Sequence, residues 1–232
     1  MPKIIAISDT HLQHDFKVPD GDILIHAGDA TFIGDMDEIV RFNRWFSELP
    51  HKYKVFVPGN HDKMFESNEG FARSLIDNDV HVLINESIVI EGIKIYGSPW
   101  TPQFYDWAFM YRRGAPAKAC WDLIPEDTDI LVTHGPPHGI LDETHYISYV
   151  GENPHVGCEE LFKAVKRIKP RIHIFGHIHH AIGKHVQEWE DSILNPPETT
   201  EFHNVAICNE KYKPKNKAHV IRIRDDYKPK RY

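Results

Sequence analysis

The chain has 232 residues, of which 41% are hydrophobic and 26% charged, with a formal net charge of −7. That content can bury one good core, which predicts a single domain over residues 1–225 followed by a basic C-terminal tail at 226–232. The acidic balance argues against a general nucleic-acid binder, and the lack of any run of about 18 apolar residues argues against a membrane span.

The opening "MPKIIAISDTHL" has a short apolar run that breaks at Asp9, the pattern of a first strand rather than a secretory signal. Further strands are predicted from Asp22, Lys54 and Val80, and a pair across "SIVIEGIKIYG". Others begin at Asp129 and Arg171, and two more lie near "HNVAIC" and "AHVIRI". Between the second and third strands, "DMDEIVRFNRWFSELP" sets Met36, Ile39, Val40, Phe46 and Leu49 on one helical face and stops at Pro50. In "GCEELFKAVKRIKP" the apolar face is Leu161, Val165 and Ile168. Its Glu159 and Glu160 come early and its Lys166 and Arg167 late, as the helix dipole favours. Strands alternating with helices predict an α/β layered fold. Residues 97–118 and 183–203 are the least regular and read as long surface loops, which in a compact domain are often functional.

Cys120, Cys158 and Cys208 are far apart and odd in number, as expected for reduced thiols of a cytoplasmic protein. From Lys211 to Tyr232, nine Lys/Arg stand against two Asp, which leaves −14 on the rest. Such an end is either a solubilising tail or an arm that attracts phosphate or RNA.

The residues that follow the apolar runs are the informative ones. "IIAIS" leads to Asp9 and His11, "ILIHAG" to Asp29, and "VFVPG" to Asn60, His61 and Asp62. "ILVT" leads to His134, and "IHIFG" to His177 and His179. Alone, each is ordinary turn punctuation. In open α/β sheets, however, ligands bind beyond the carboxyl ends of strands, so the five groups converge on one rim. Two carboxylates, one amide and four imidazoles without a thiolate disfavour a structural zinc site. Seven donors exceed the need of one open catalytic ion but suit two divalent ions sharing a bridge. Mn²⁺ is the first choice, and Fe²⁺, Zn²⁺, Co²⁺ or Ni²⁺ would also fit.

The ordered set DxH, GD, GNHD, THG and GHxH, spanning residues 9 to 179, resembles the calcineurin-like metallophosphoesterase superfamily. The blocks "GSPWTPQFYDWAFMYRRG", "THGPPHGILD", "GCEEL" and "NVAICNEKYKP" resemble its metallophosphoesterase-domain-containing branch, which is similar to class III cyclic-nucleotide phosphodiesterases. The resemblance implies a four-layer αββα sandwich of two mixed sheets flanked by helices. It implies one ion on Asp9, His11 and His179, another on Asn60, His134 and His177, and Asp29 bridging them. It further implies a metal-bridging hydroxide as nucleophile and His61 as general acid near the leaving oxygen. Many relatives carry an aspartate three residues after the bridging one to orient that histidine; here the position is Phe32, with Asp35 and Asp62 as alternatives.

The implied substrate is a small nucleotide phosphodiester, such as a 2′,3′- or 3′,5′-cyclic nucleotide, in contact with Asn60, His61, Arg112 and His138. Arg113 could also meet a phosphate. Trp100, Phe104, Tyr105, Trp107, Phe109 and Tyr111 would either stack on a base or pack against the body. His138 could equally be a surface histidine. The same fold also serves phosphomonoesterases, protein phosphatases and nucleases. A catalytically silent scaffold would be expected to lose some of the eight site positions, all of which are intact here.

Overall fold

A computed structural model describes residues 2–145, 154–189 and 198–223. The expected tail at 226–232 lies outside the described residues. Alternation along the strands sets the architecture. In β1 (Lys3–Ile7), Ile4 and Ala6 enter one apolar cluster while Ile5 and Ile7 enter another. This is the period-two pattern of a strand buried on both faces. β2 (Ile23–His26) repeats it with Ile23 and Ile25 against Leu24, and β9 (Ile130–Thr133) with Ile130 and Val132 against Leu131.

β1 and β2 join β3 (Tyr53–Phe56) and β4 (Val80–Val82) as parallel neighbours. β13 (His219–Arg222) pairs antiparallel with β1 and completes a five-stranded sheet. In the second sheet β9 lies between β6 (Ile93–Ser98) and β10 (Ile172–Phe175), with β12 (Thr199–Asn204) beyond β10, all parallel. Antiparallel edges are supplied by β5 (Glu86–Ile90) and β11 (Gly183–Glu188).

The cluster containing Ile4, Ile25, Val55, Ile95, Ile130 and Ile174 draws on both sheets and is the central core. The outer face of the first sheet carries α1 (Met36–Ser47), α2 (Met64–Ser67) and α3 (Glu69–Ser74), through Phe42, Phe46 and Phe65. The outer face of the second carries α4 (Ala115–Trp121) and α5 (Glu159–Ile168), through Trp121, Leu161 and Val165. Three cores between four layers give the expected αββα sandwich of two mixed sheets. No helix among the described residues is long and apolar enough to cross a membrane.

Three local expectations are corrected. α1 buries Ile39, Phe42 and Phe46, while Met36 and Val40 are exposed, so the apolar face is rotated from the predicted one. Residues 183–203 are not one loop. They contain β11 and most of β12, whose "GKHVQE" and "TTEFHN" lack an apolar run because β11 is a largely exposed edge. The strand predicted near 203–208 therefore starts earlier, at Thr199. Within 97–118, β7 (Thr101–Pro102) pairs with β8 (Met110–Tyr111), and α4 begins at Ala115.

Candidate metal centre

The parallel strands β1, β2, β3, β9 and β10 end on one rim, and the segments after them carry every donor singled out in the sequence. Backbone strain gathers there. Asp9, His11, Asp29 and His177 all have positive φ, at 52°, 42°, 55° and 68°. Non-glycine residues adopt this region uncommonly, and the cost is tolerated where the surroundings fix it. The flanking glycines follow from the crowding. Gly28 has φ 97°, and a Cβ there would overlap the His134 ring. A Cβ on Gly176 would overlap the Asp9 carboxylate.

Asp29 stands at the middle. Its Oδ1 is 3.3 Å from His134 Nε2 and accepts the His61 backbone N–H at 2.9 Å. Its Oδ2 is 3.9 Å from His11 Nε2 and 3.9 Å from His61 Nε2. On one side, His179 Nε2 lies 3.3 Å from Asp9 Oδ1 and 3.4 Å from His11 Nε2. On the other, His134 Nε2 meets Asn60 Oδ1 at 2.9 Å, with the His134 and His177 rings 5.0 Å apart. Donor atoms of Asp9, His11 and His179 lie within 4.8 Å of one another, as do those of Asp29, His134 and His177.

Each imidazole of one trio, His11, His134 and His179, is held from behind by a carbonyl. His11 Nδ1 donates to Thr31 O at 2.9 Å, His134 Nδ1 to Ala27 O at 2.9 Å, and His179 Nδ1 to Asn209 O at 3.1 Å. A carbonyl only accepts, so Nδ1 keeps its proton and Nε2 is the nitrogen that faces the centre and would ligate an ion once deprotonated, as metal-ligating histidines require. His61 is held alike, Nδ1 to Phe32 O at 2.5 Å. Its orienting group is thus a backbone carbonyl. Asp35 instead caps α1, accepting from Glu38 N at 2.9 Å. Asp62 accepts from the backbone N–H of Thr31 at 3.0 Å and Gly59 at 2.7 Å, and from the Thr31 hydroxyl at 2.7 Å.

Asp9 and Asp29 are almost wholly buried. Burial pushes Asp9 up, but the hydrogen bond and charge of His179 outweigh it and take the carboxyl down to about 2. Asp29 is likewise held well below its ordinary value by His134 and His61 against the burial cost. His134 resists burial through the charge of Asp29 and rises to about 9. Burial wins at His11, lowered to about 4, and at His177, lowered to about 3. Two buried carboxylates, an amide oxygen and four imidazoles fit a pair of divalent cations. The charge on the two carboxylates, otherwise balanced by imidazole protons, is what such ions would neutralise.

The centre borders a cavity of about 810 Å³. Asp29, Asn60, His61, His177 and His179 line it. Phe104 and Tyr105 line it from the stretch flagged as aromatic, whereas Phe109 and Tyr111 are buried in the body and Trp100 packs against it. The Trp107 ring lies against His61, tilted by 32° with ring centroids 4.1 Å apart, and Lys63 Nζ lies 4.5 Å over the same indole. Arg112 and His138 are not among the lining residues; Arg113 and His155 are. Arg113 is tied to Glu159 and to the Gly157 and Val156 carbonyls, and His155 to the buried Asp142 at 2.7 Å. Sequence reading did not single out His155 or Tyr212. His155 follows no apolar run, and Tyr212 comes after "VAIC" but is not a carboxylate, amide or imidazole, the donor types that marked the other strand ends.

Residues 2–181 match the profile of the calcineurin-like phosphoesterase family. The chain is 36% identical to human metallophosphoesterase domain-containing protein 1, over 94% of this chain and 70% of that protein. It is 38% identical to UPF0046 protein K07C11.7 of Caenorhabditis elegans, over 89% and 70% respectively. Among solved structures, phosphopantetheinyl hydrolase of Mycobacterium tuberculosis superposes with a TM-score of 0.62 at 15% identity, covering 98% of both chains. The protein TT1561 of Thermus thermophilus does so with 0.51 at 16%, covering 88% of each. These two likenesses concern the fold.

Proposed function

We propose, from the premise that the chain belongs to the calcineurin-like phosphoesterase family of metal-dependent phosphoester hydrolases, that it cleaves nucleotide phosphodiesters such as 2′,3′- or 3′,5′-cyclic nucleotides. One observation carries the reading. The cavity has the donor-rich centre and the half-exposed rings of Phe104 and Tyr105 on the same lining. Pockets of about 300–1,000 Å³ take ligands of small-molecule size, so there is room for a base and a sugar as well as a phosphate.

Asp9, His11 and His179 would hold one ion and Asn60, His134 and His177 the other, with Asp29 between them. Mn²⁺ suits a set of oxygen and imidazole donors. Bound there, two divalent cations supply Lewis-acid charge for a phosphoryl oxygen and a water of lowered pKa. The protein does the rest. The carbonyls of Thr31, Ala27 and Asn209 keep three imidazoles in the ligating tautomer. Asn60 adds an oxygen without adding negative charge. His61, its Nδ1 proton fixed on Phe32 O, has Nε2 at the centre, where a proton can pass to the leaving alkoxide.

The test is a screen of the full-length Mn²⁺-loaded protein against 2′,3′- and 3′,5′-cyclic nucleotides, phosphomonoesters and a phosphopeptide. The highest kcat/KM is expected on a cyclic nucleotide. A phosphomonoester or the phosphopeptide turned over faster would replace this reading with a monoesterase, and silence on all of them would favour a scaffold.

A further inference from the structure

The stretch "QFYDWAF" joins β7 to β8 and is anchored at its far end. Ala108 and Phe109 are buried, and Phe109 meets Trp100 edge to face at 5.7 Å. Phe109 has φ 55°, uncommon for a bulky residue, and bonds on both sides hold it there. Its N–H donates to Glu66 Oε1 at 3.0 Å, and its carbonyl accepts from Thr101 N at 2.9 Å. Ala108 N donates to Asn60 O at 3.2 Å. The loop is therefore bonded to the backbone immediately before His61.

What this anchoring delivers is the indole of Trp107. The ring lies against the His61 imidazole, with centroids 4.1 Å apart and planes tilted by 32°. Lys63 N donates to His61 O at 2.9 Å, and Lys63 Nζ lies 4.5 Å from the indole centroid, a cation–π contact. The segment 60–63 thus holds the indole from two points, through the Asn60 carbonyl and the Lys63 ammonium. Phe104 and Tyr105 of the same loop line the cavity, but Trp107 is not among its lining residues. Its contact with the site is made through His61.

One hydrogen bond does not fix an imidazole. The bond from Nδ1 to Phe32 O holds one ring nitrogen, yet the ring can still turn about that bond and swing Nε2 away. A broad ring pressed close to the imidazole plane removes that freedom, and His11 limits it on another side at 4.8 Å and 82°. Proton transfer needs this precision, because a misplacement of about 1 Å can cost about 10²-fold in rate.

We propose that Trp107 is a positioning residue, its indole holding the His61 imidazole in the orientation from which Nε2 passes a proton to the leaving alkoxide. This rests on the proton-donor reading of His61 above and is independent of which alcohol leaves. The effect is confined to esters whose leaving group needs the proton.

The experiment compares Trp107→Leu, Trp107→Phe and the wild type as full-length Mn²⁺-loaded proteins. The substrates are glycerol 1,2-cyclic phosphate, whose leaving group is an alkoxide, and bis(p-nitrophenyl) phosphate, whose leaving group is not. Trp107→Leu is expected to lower kcat on the glycerol ester about tenfold with little change in KM, and to spare the nitrophenyl ester. Manganese content should be unchanged, and Trp107→Phe should recover most of the loss. In a His61→Ala background, Trp107→Leu should have no further effect, since a residue acting through His61 has nothing left to act on. A crystal structure of the metal-free leucine variant should show the His61 ring in more than one orientation. Equal losses on both esters, loss of manganese, or a further loss in the His61→Ala background would mean that Trp107 only holds the loop, and would overturn the proposal. A leucine variant with wild-type turnover, or with His61 still in its single orientation, would overturn it while leaving His61 as proton donor. Equal losses in His61→Ala itself, or a wild type that hydrolyses only the nitrophenyl ester, would sink both. If the leucine variant folds poorly, Trp107→Met keeps bulk without a ring and is read in the same way.

Discussion

At the scale of single residues, His61 is the position where geometry and chemistry are most tightly joined. Its two nitrogens have separate tasks: Nδ1 is spent on Phe32 O at 2.5 Å, and Nε2 faces the centre 3.9 Å from Asp29 Oδ2. Glu38, from the first turn of α1, accepts the backbone N–H groups of Phe32, Ile33 and Gly34, so the loop that offers the carbonyl is itself held. The Trp107 ring covers one side of the imidazole. His61 Nε2 also lies within 4.8 Å of donor atoms of His11 and Asp29, but the two donor sets assigned above are complete without it. His61→Ala should therefore keep two ions per chain by elemental analysis. It should lower kcat on an alkyl phosphodiester by about 10²–10⁴-fold, the usual range for general-acid help. A p-nitrophenyl ester, whose leaving group needs little protonation, should lose far less. Equal losses on the two esters would exclude proton donation.

At the scale of elements, the question is what keeps five separate strand ends in one arrangement. Asp62 answers it for two of them. Fully buried, it accepts backbone N–H groups from Ala30 and Thr31, after β2, and from Gly59, after β3. It braces the loop carrying Asp29 against the loop carrying Asn60 and His61. Asp62→Ala would strand several buried donors, each costing about 1–3 kcal/mol, so a stability loss of about 3 kcal/mol or more is expected in denaturant unfolding, together with weaker cation retention. A residue that merely oriented His61 would give slow turnover with normal stability and full metal content. The strand ends were legible in the sequence because each followed an apolar run in a parallel sheet. What did not show was of another kind. The Phe32 carbonyl is a backbone atom, invisible as a residue type. β11 is a polar edge strand whose register comes from its hydrogen bonds with β12 rather than from an apolar pattern. On α1, Met36–Val40 and Ile39–Phe42–Phe46 occupy neighbouring arcs, and only the position of the first sheet decides which is buried.

At the scale of the whole molecule, the unusual histidine content becomes a matter of stability against pH. His26 and His173 lie in the body with no exposure, and burial lowers both to about 3; burial also lowers His11 to about 4 and His177 to about 3. In the unfolded chain these groups take up protons near pH 6.5, whereas in the fold they do not. Stability therefore falls as pH drops below about 6.5, at about 1.4 kcal/mol per pH unit for each group so shifted. Asp62, raised to about 6 by burial and the charge of Asp29, works in the opposite sense below that pH, but it is one group against four. On the alkaline side the sign reverses. His134 is raised to about 9, so its contribution is complete below pH 6.5 and is lost as pH climbs through about 9. His179, also raised, acts in the same direction. The cation-free protein should then be most stable near pH 6.5 and weaken on both sides. Cations bound at the centre require neutral imidazoles, so loading replaces the protons on His134 and His179 and should remove the alkaline decline. Thermal unfolding between pH 5 and 9, in chelator and in excess Mn²⁺, measures both limbs. Parallel curves in the two conditions would separate His134 and His179 from cation binding, and with them the dinuclear assignment.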